Sequence, residues 1–408
     1  MNDHSDPAPA RDRFALPPEA YLAGNSLGLQ PLAARDAIAR RVDEWATLAV
    51  EGWWEAGWLD AADDLRAPLA RIVGARPSEI AVMNTLSVNL HLLLAALYRP
   101  TAERFRVVID ADAFPSDAHV VASHVRWHGL DPAVAVRRDP DAIDETVAVV
   151  LLAGVSYLTG AAIDVAAVMA AAHDVGAVVV LDLAHAAGNV PLDLRSCDVD
   201  AAAWCSYKYL NGGPGAPGAI FVNERHHDAP RLAGWWGVDP ARRFRMEPDF
   251  VAGPGAAGFA LSTPPVLGLA PLAASLALFD EVGFGPLRER SVRLTGMLET
   301  RLAAIGGVEL LTPADPARRG CQLSVRVANA RVLAGRLRTE HGVICDFREP
   351  DVLRFAPVPL STSYADCAQA AEGLAALLAS AGCCHQTEDL EQQVRRVRDG
   401  DAADIERR

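Results

Sequence analysis

The sequence has neither a long hydrophobic run nor an excess of positive charge. Its 408 residues include 38 Lys or Arg and 52 Asp or Glu, so the formal net charge is −14. Because a nucleic-acid-binding surface needs a basic excess, this balance argues against a nucleic acid as the main partner. Apolar runs such as Leu90–Leu97 and Ala177–Leu181 are far shorter than the roughly 18 residues of a membrane span, so we expect no membrane contact.

Cysteine is also scarce, and its pattern favours neither a disulfide framework nor a zinc site. The chain has seven cysteines, an odd number, without a CxxC pair. The adjacent Cys383 and Cys384 could be joined only with strained geometry. The stretch 1–18 is polar and lacks the apolar region of a signal peptide. These features predict free thiols and a cytoplasmic protein.

The remaining composition is that of a folded globular chain, with 51% hydrophobic and 22% charged residues. From about residue 60 to about residue 290, apolar runs such as Val147–Leu152 and Val178–Leu181 alternate with helical stretches such as Val165–Val175. This alternation predicts an α/β fold with βαβ units and a mainly parallel sheet. Beyond about residue 306, the segments Val352–Ala356 and Tyr364–Ala381 belong to a predicted compact α+β unit.

The densest chemical signal lies between residues 178 and 218. One apolar strand runs directly into Asp182, with His185 three residues later. A second apolar strand, Ala201–Ser206, delivers Tyr207 and Lys208 to the same edge of the sheet. Ligands bind at the carboxyl ends of strands in open α/β sheets. A lysine desolvated at such an edge has a lowered pKa and becomes a usable amine nucleophile.

A lysine and an aspartate on adjacent strand ends point to pyridoxal phosphate (PLP). That cofactor needs a lysine for its Schiff base and a carboxylate near its pyridine nitrogen. A phosphate site is available at Asn84–Ser87, which directly precedes a predicted helix over Val88–Tyr98. The same residues also fit a simple helix cap.

Two other motifs are weaker. The loop Gly213–Gly218 formally matches GxGxxG, but its prolines obstruct a helix, so we expect no dinucleotide site. His119, His124 and His128 lack an acidic or cysteine partner at ligand spacing, so we expect no metal site.

From about Tyr21 to Leu378 the chain resembles the kynureninases, PLP-dependent hydrolases with the aspartate-aminotransferase type I fold. The resemblance implies a large domain with a mainly parallel central sheet and a smaller C-terminal α+β domain. Its main motifs are YLAGNSLGLQP (Tyr21–Pro31), MNTLSVNLH (Met83–His91), AFPSDAH (Ala113–His119), DLAHAAGNVPLDL (Asp182–Leu194), AAWCSYKYLNGGPGAPG (Ala202–Gly218) and CDFREPDVLRFAPVPL (Cys345–Leu360).

The resemblance implies a division into four parts. Residues 1–58 would form an N-terminal arm and helix that contribute to the small domain and the active site. Residues 59–290 would form the large PLP-binding domain, residues 291–384 the small domain, and residues 385–408 a charged tail.

The resemblance also implies a cofactor site. Lys208 would form the Schiff base. From its position next to this lysine, we expect Tyr207 to move protons during bond cleavage. Asp182 would pair with the pyridine nitrogen, and Leu86 and Ser87 would hold the phosphate together with Tyr207. The full implied cofactor set is Leu86, Ser87, Phe114, Pro115, Ser116, Asp117, Asp182, His185, Tyr207, Lys208, Trp235 and Thr263.

The substrate site implied by the resemblance lies between two subunits. Arg354 would bind the substrate α-carboxylate, ideally as a bidentate pair. Trp235 and Thr263 would come from the partner subunit, which implies a homodimer with shared active sites. Trp53 and Thr263 would lie near the substrate ring, where a large aromatic and a short hydroxyl offer few partners for a ring hydroxyl. We therefore expect unsubstituted kynurenine to be preferred to 3-hydroxykynurenine.

The reaction implied is hydrolysis of L-kynurenine to anthranilate and L-alanine, as part of tryptophan catabolism and of routes to NAD. A substituted kynurenine in a biosynthetic route, and a desulfurase-like or aminotransferase-like reaction, remain alternatives. A non-catalytic binding protein is a third alternative, which the combination of Asp182, His185, Tyr207 and Lys208 disfavours. The chain departs from several relatives at Ala153, where a Ser or Thr hydroxyl contacts the cofactor, and Ser156 or Thr159 could replace that contact.

Overall fold

The structure, a computed structural model, describes residues 8–383. The chain opens with three short strands, β1 (Phe14–Ala15), β2 (Ala20–Tyr21) and β3 (Gln30–Pro31), of which β1 and β3 pair antiparallel. Helix α1 (Leu32–Leu48) then follows over the residues whose helical spacing predicts it, and the short helix α2 (Gly52–Glu55) comes next.

A seven-stranded sheet forms the centre of the large unit, in the order β4-β10-β9-β8-β7-β5-β6. Its strands are β4 (Ile80–Val82), β5 (Arg106–Ile109), β6 (Val136–Arg137), β7 (Val147–Ala153), β8 (Val178–Asp182), β9 (Ala201–Trp204) and β10 (Ala219–Val222). Strands β5 to β9 run parallel, whereas β10 is antiparallel to both β9 and β4. The predicted α/β class with a mainly parallel sheet is therefore confirmed.

Helices cover both faces of this sheet. They are α3 (Arg66–Val73), α4 (Leu86–Leu97), α5 (Pro115–Trp127), α6 (Pro132–Ala135), α7 (Val165–Asp174) and α8 (Val266–Val282). The next helix, α9 (Phe284–Ala303), packs mainly on the C-terminal unit, where its Leu294, Leu298 and Leu302 join the buried cluster. Along β8, Val179 and Leu181 belong to one buried apolar cluster and Val180 belongs to another. Both faces of the strand are thus buried, which explains its continuous apolar run.

The C-terminal unit is built around a smaller antiparallel sheet in the order β11-β12-β15-β14. Its elements are β11 (Glu309–Leu310), β12 (Leu323–Arg326), α10 (Ala330–His341), β13 (Val343–Ile344), β14 (Asp346–Arg348), β15 (Val352–Phe355) and α11 (Tyr364–Cys383). The segment Val343–Asp346, whose sequence predicts a single strand, divides between two sheets. Strand β13 pairs in parallel with β2 of the N-terminal segment, whereas β14 pairs with β15. The α+β character of this unit agrees with the sequence.

Boundaries at residues 58 and 290 stay predictions, and the predicted tail 385–408 lies outside the described residues. Between residues 8 and 383, no single helix is long and apolar enough to cross a membrane. The consecutive helices α8 and α9 meet that test only as a pair, and they are bent by 85°.

Candidate active site

A cavity of about 360 Å³ opens at the carboxyl edge of the central sheet. Asp182 is the last residue of β8, and Lys208 follows β9, the neighbouring strand. Within the described residues 8–383, the cavity is lined by Asn25, Ser26, Thr85, Leu86, Ser87, Phe114, Ser116, Ala153, Val155, Tyr157, Asp182, Ala184, His185, Tyr207, Lys208, Arg348 and Arg354. The cavity thus collects side chains from the large sheet, the small unit and the N-terminal segment.

Lys208 and His185 form a close pair in this cavity. The Lys208 Nζ lies 2.9 Å from the His185 Nε2. His185 is buried, and its Nδ1 has no hydrogen-bond partner in the described part of the chain. Burial, followed by the positive charge of Lys208, holds the pKa of His185 well below its usual range. The neutral ring can therefore accept an N–H from the lysine.

A pair of carboxyl groups lies beside the lysine. Asp182 is buried, and its Oδ1 accepts the backbone N–H of Ala184 at 2.8 Å. Asp117, in the first turn of α5, is buried against it and accepts a hydrogen bond from the Ser116 hydroxyl at 3.1 Å. Burial and the neighbouring Asp182 raise the pKa of Asp117 to about 9. Burial raises the pKa of Asp182 too, but the hydrogen bond from Asp117 and the charge of Lys208 oppose that rise. Asp117 therefore keeps its proton at neutral pH and donates a hydrogen bond to Asp182.

The first turn of α4 supplies anion-binding groups at the opposite end of the cavity. The helix begins at Leu86, two residues earlier than the sequence predicts, because the extended backbone of Thr85 already forms the N-cap. Thr85 makes no side-chain capping bond, so the N–H groups of this turn remain available. With the hydroxyl of Ser87, they suit a phosphate group.

The Tyr207 hydroxyl borders the same cavity. Burial, followed by the neighbouring Cys205 thiol, raises the pKa of Tyr207 above its ordinary value. The phenol therefore keeps its proton at neutral pH. The Lys208 Nζ lies 5.9 Å from the centre of the Tyr207 ring, which places the two predicted catalytic side chains together.

The predicted residues divide into two groups by position. Nine of them border the cavity: Leu86, Ser87, Phe114, Ser116, Asp182, His185, Tyr207, Lys208 and Arg354. Five do not border it: Pro115, Asp117, Trp53, Trp235 and Thr263. Trp53 packs 5.6 Å from Trp58 and 6.0 Å from Trp236 between ring centres. Trp235 is 44% exposed, and Thr263 is also exposed.

Sequence reasoning missed several residues of the lining: Asn25, Ser26, Val155, Tyr157, Ala184 and Arg348. Thr85 borders the cavity as part of the predicted phosphate site Asn84–Ser87. Asn25, Ser26 and Arg348 lie inside motifs that were recognised only as whole stretches. At Ala153, neither suggested substitute borders the cavity: the Ser156 hydroxyl bonds to Asp112, and Thr159 packs near Thr312. The Ala153 backbone N–H instead donates to Asp110 at 2.8 Å.

Solved structures show the same fold at low sequence identity. A variant of C-DES with glycine covalently linked to its PLP cofactor superposes with a TM-score of 0.77 and 19% identity, covering 90% of this chain and 99% of that chain. The cysteine desulfurase CsdA from Escherichia coli gives a TM-score of 0.75 and 19% identity, covering 90% and 97%.

Sequence relatives are much closer. The family model of the kynureninase C-terminal domain matches residues 287–374. The kynureninase of Salinispora tropica is 51% identical over 92% of this chain and 95% of its own length. The kynureninase of Xanthomonas euvesicatoria is 50% identical over 89% of this chain and 94% of its own length. By this similarity along nearly its whole length, the chain belongs to the kynureninase family.

Proposed function

We propose that this protein is a PLP-dependent enzyme that hydrolyses L-kynurenine to anthranilate and L-alanine. The observation that carries the proposal is the Lys208–His185 pair, 2.9 Å apart, beside the Asp182 carboxylate in one cavity. The cavity combines an amine, a buried carboxylate and an open helix N-terminus, which are the three groups that PLP requires. Membership of the kynureninase family supports the choice of substrate.

The side chains that line the cavity are of the chemical types that PLP requires. Lys208 would hold it covalently, Asp182 would keep its pyridine nitrogen protonated, and the first turn of α4 would bind its phosphate. When bound, PLP supplies an electron sink for charge that develops on the substrate. Phe114, the N-cap residue of α5, borders the same cavity and would limit movement of the pyridine ring of the cofactor.

The protein's own groups would bind the substrate and move its protons. The Lys208 amine would act as a general base and acid toward the substrate, with His185 holding its Nζ in place. Tyr207 keeps its proton because its pKa is raised, so it would donate this proton at the bond being cleaved. Arg354 would bind the α-carboxylate. One water is consumed, and its oxygen ends in the anthranilate carboxylate.

The structural resemblance to cysteine desulfurases does not favour their chemistry. Those neighbours are about 19% identical to this chain, which supports the fold alone. A desulfurase needs a reactive cysteine that faces the substrate, and none of the five cysteines whose side chains are described lines the cavity. Burial raises the pKa of the nearby Cys345 thiol to about 12, which leaves it protonated and weakly nucleophilic at neutral pH.

A homodimer is part of the proposal. Trp54, Trp235 and Phe244 form an exposed aromatic cluster, with 55%, 44% and 48% exposure. Their rings are in contact, since Phe244 lies 6.0 Å from Trp54 and 5.7 Å from Trp235. An exposed apolar patch of this kind commonly marks a protein interface. Burial against a second copy would bring Trp235 and Thr263 to the partner's cavity.

The proposal also includes the metabolic role of the reaction and the compartment of the protein. We propose that the reaction serves tryptophan breakdown through kynurenine and supplies precursors for NAD. The five cysteines whose side chains are described, Cys197, Cys205, Cys321, Cys345 and Cys367, are free. Free thiols are typical of a reducing compartment, which supports a cytoplasmic location.

A competition assay tests the activity and the substrate preference together. Purified protein with added PLP receives equal amounts of L-kynurenine and L-3-hydroxykynurenine, and the products are identified by mass. We expect mainly anthranilate and L-alanine from the wild type and no product from Lys208→Ala. Mainly 3-hydroxyanthranilate would contradict the preference assigned to Trp53 and Thr263, whereas the absence of both products would contradict the proposed activity.

A further inference from the structure

The sheet of the C-terminal unit places three charged side chains on one face. Asp346 and Arg348 are two residues apart on β14, and Arg354 on β15 is the cross-strand partner of Asp346. Successive strand residues point to opposite faces, so these three residues share a face. Arg348 and Arg354 both border the active-site cavity, which shows that this face is turned toward it.

The guanidinium of Arg354 is largely committed to partners within the protein. Its Nη1 donates to the Tyr157 carbonyl at 2.6 Å, and its Nη2 donates to Asp346 at 2.5 Å and to Ser26 at 3.2 Å. The Asn25 side-chain oxygen, in the amide orientation that satisfies its neighbours, accepts from Nε at 3.2 Å. Neither edge of this guanidinium therefore has two open donors. Arg354 can offer an incoming carboxylate a single N–H, on Nη1.

Arg348 has the complementary arrangement. Its Nη1 donates to Asp346 Oδ1 at 2.6 Å and to the carbonyl of Phe347 at 2.8 Å. Within residues 8–383, its Nε and Nη2 have no hydrogen-bond acceptor, so a complete edge of the guanidinium is open. That edge can form a bidentate pair with a carboxylate. The Arg348 side chain is 36% exposed, whereas that of Arg354 is fully buried.

The net charge of Asp346, Arg348 and Arg354 also favours binding of one anion. Asp346 is 9% exposed and lies between the two arginines, and it also accepts a hydrogen bond from Ser26. Two arginines and one aspartate carry one excess positive charge. Arg354 already pairs with Asp346, so a substrate carboxylate bound by Arg354 alone would make one cation balance two anions. Binding by Arg348 as well gives two cations for the two anions.

We propose that Arg348 is a second substrate-binding residue that holds the α-carboxylate of the amino-acid substrate with its open Nε/Nη2 edge. Arg354 adds one hydrogen bond from Nη1, and Asp346 is the positioning residue that orients both arginines. This inference rests on the proposed function only in taking the substrate to be an α-amino acid. It assigns the bidentate contact to Arg348, whereas the family resemblance places the carboxylate on Arg354.

Two small amines that differ only in a carboxylate provide the test. L-Alanine and ethylamine are titrated separately into the PLP-loaded protein, and binding is followed by the cofactor absorbance. We expect Arg348→Gln to weaken L-alanine binding roughly tenfold or more, because a charge-assisted bidentate pair is lost. Ethylamine binding should change less than about twofold. Arg348→Lys keeps the charge without the planar fork and should restore only part of the L-alanine affinity.

The matched control is Arg326→Gln, which removes an exposed arginine paired with Glu309 elsewhere on the same sheet. It should bind both amines as the wild type does. Unchanged L-alanine binding in Arg348→Gln, or an equal loss for both amines, would overturn the inference.

The outcome is separable from the proposed activity. Carboxylate discrimination that depends on Arg348 in a protein without kynurenine hydrolysis would support the inference and contradict the proposed function. Normal kynurenine hydrolysis and normal L-alanine binding in Arg348→Gln would support the proposed function and contradict the inference about Arg348.

Discussion

The Lys208 amine lies 2.9 Å from Nε2 of a buried histidine, His185. The pKa of this histidine is well below its usual range because the ring is desolvated and because Lys208 lies against it. A neutral ring can accept a hydrogen bond from the Lys208 N–H, whereas a charged ring would repel the ammonium group. The pair therefore holds the Lys208 Nζ at the carboxyl edge of the sheet.

This relationship predicts different effects for two substitutions of His185. In His185→Gln the side-chain oxygen can still accept a hydrogen bond from Lys208, whereas in His185→Leu it cannot. We expect PLP binding to weaken roughly tenfold in the Leu variant and only about two- to threefold in the Gln variant. A titration of the cofactor-free protein by absorbance measures both values. Equal losses would show that the acceptor on residue 185 has no role.

The carboxyl pair gives a second prediction. Burial raises the pKa of both carboxyl groups, but the hydrogen bond from Asp117 and the charge of Lys208 oppose the rise at Asp182, so Asp117 is the member that keeps the proton. Asp117→Asn keeps a neutral donor toward Asp182 and should lower kcat less than about fivefold. Asp182→Asn removes the anion beside the cofactor and should lower kcat by about 10²-fold or more. If Asp117→Asn proves as damaging as Asp182→Asn, the assignment of the proton is wrong.

Tyr207 should act as a proton donor. We expect Tyr207→Phe to lower kcat by about 10²-fold, because proton transfer by a positioned side chain contributes an effect of that order. Since burial raises the pKa of this phenol, the wild-type pH profile should show no loss from its ionisation below about pH 10. Tyr98→Phe is a suitable control, because that buried hydroxyl bonds to the Phe105 carbonyl away from the cavity. Full turnover by Tyr207→Phe would contradict the role.

The fold was predictable because the local signals agree with the packing. Helix α1 matches its predicted bounds, and β8 carries Asp182 at its end, where the sequence places it. The antiparallel strand β4 was not predicted, since three buried residues carry no periodicity that distinguishes a strand from other buried segments. Similarly, the segment Val343–Asp346 predicts one strand, whereas it contains β13 and the first residue of β14, whose partners lie in different sheets.

The candidate site was predictable in its centre and less so at its rim. Asp182, His185, Tyr207 and Lys208 lie within one stretch of sequence, so two adjacent strand ends bring them together. Ser26 and Arg348 come from distant segments and meet only through Asp346, which accepts a hydrogen bond from each. Such contacts depend on the tertiary pairing of β14 with β15 and have no local signal.

The proposed sharing of sites between subunits can be tested with a hybrid dimer. Lys208→Ala and Trp235→Ala chains are co-expressed with different affinity tags, and the species that carries both tags is isolated. In a symmetric dimer, one site of the hybrid then combines the intact Lys208 of one chain with the intact Trp235 of the other. We expect each parent dimer to be severely impaired and the hybrid to recover about half of the wild-type activity. A hybrid without recovered activity would place Trp235 in the cavity of its own chain.

A buried histidine outside the cavity predicts the response of stability to acid. His124 on α5 is 6% exposed, and burial, followed by the neighbouring His91 and His128, lowers its pKa to about 4. In the unfolded chain its pKa is about 6.5, so between these values the unfolded state binds more protons. The free energy of unfolding should therefore fall as the pH drops from about 6.5 to about 4, with at most about 3 kcal/mol from this residue.

Urea unfolding at pH 7 and pH 4.5 measures this effect. Between these two pH values, the free energy of unfolding should fall less in His124→Gln than in the wild type. His119→Gln, on the exposed side of the same helix, should behave as the wild type, and an identical loss in all three proteins would contradict the assignment.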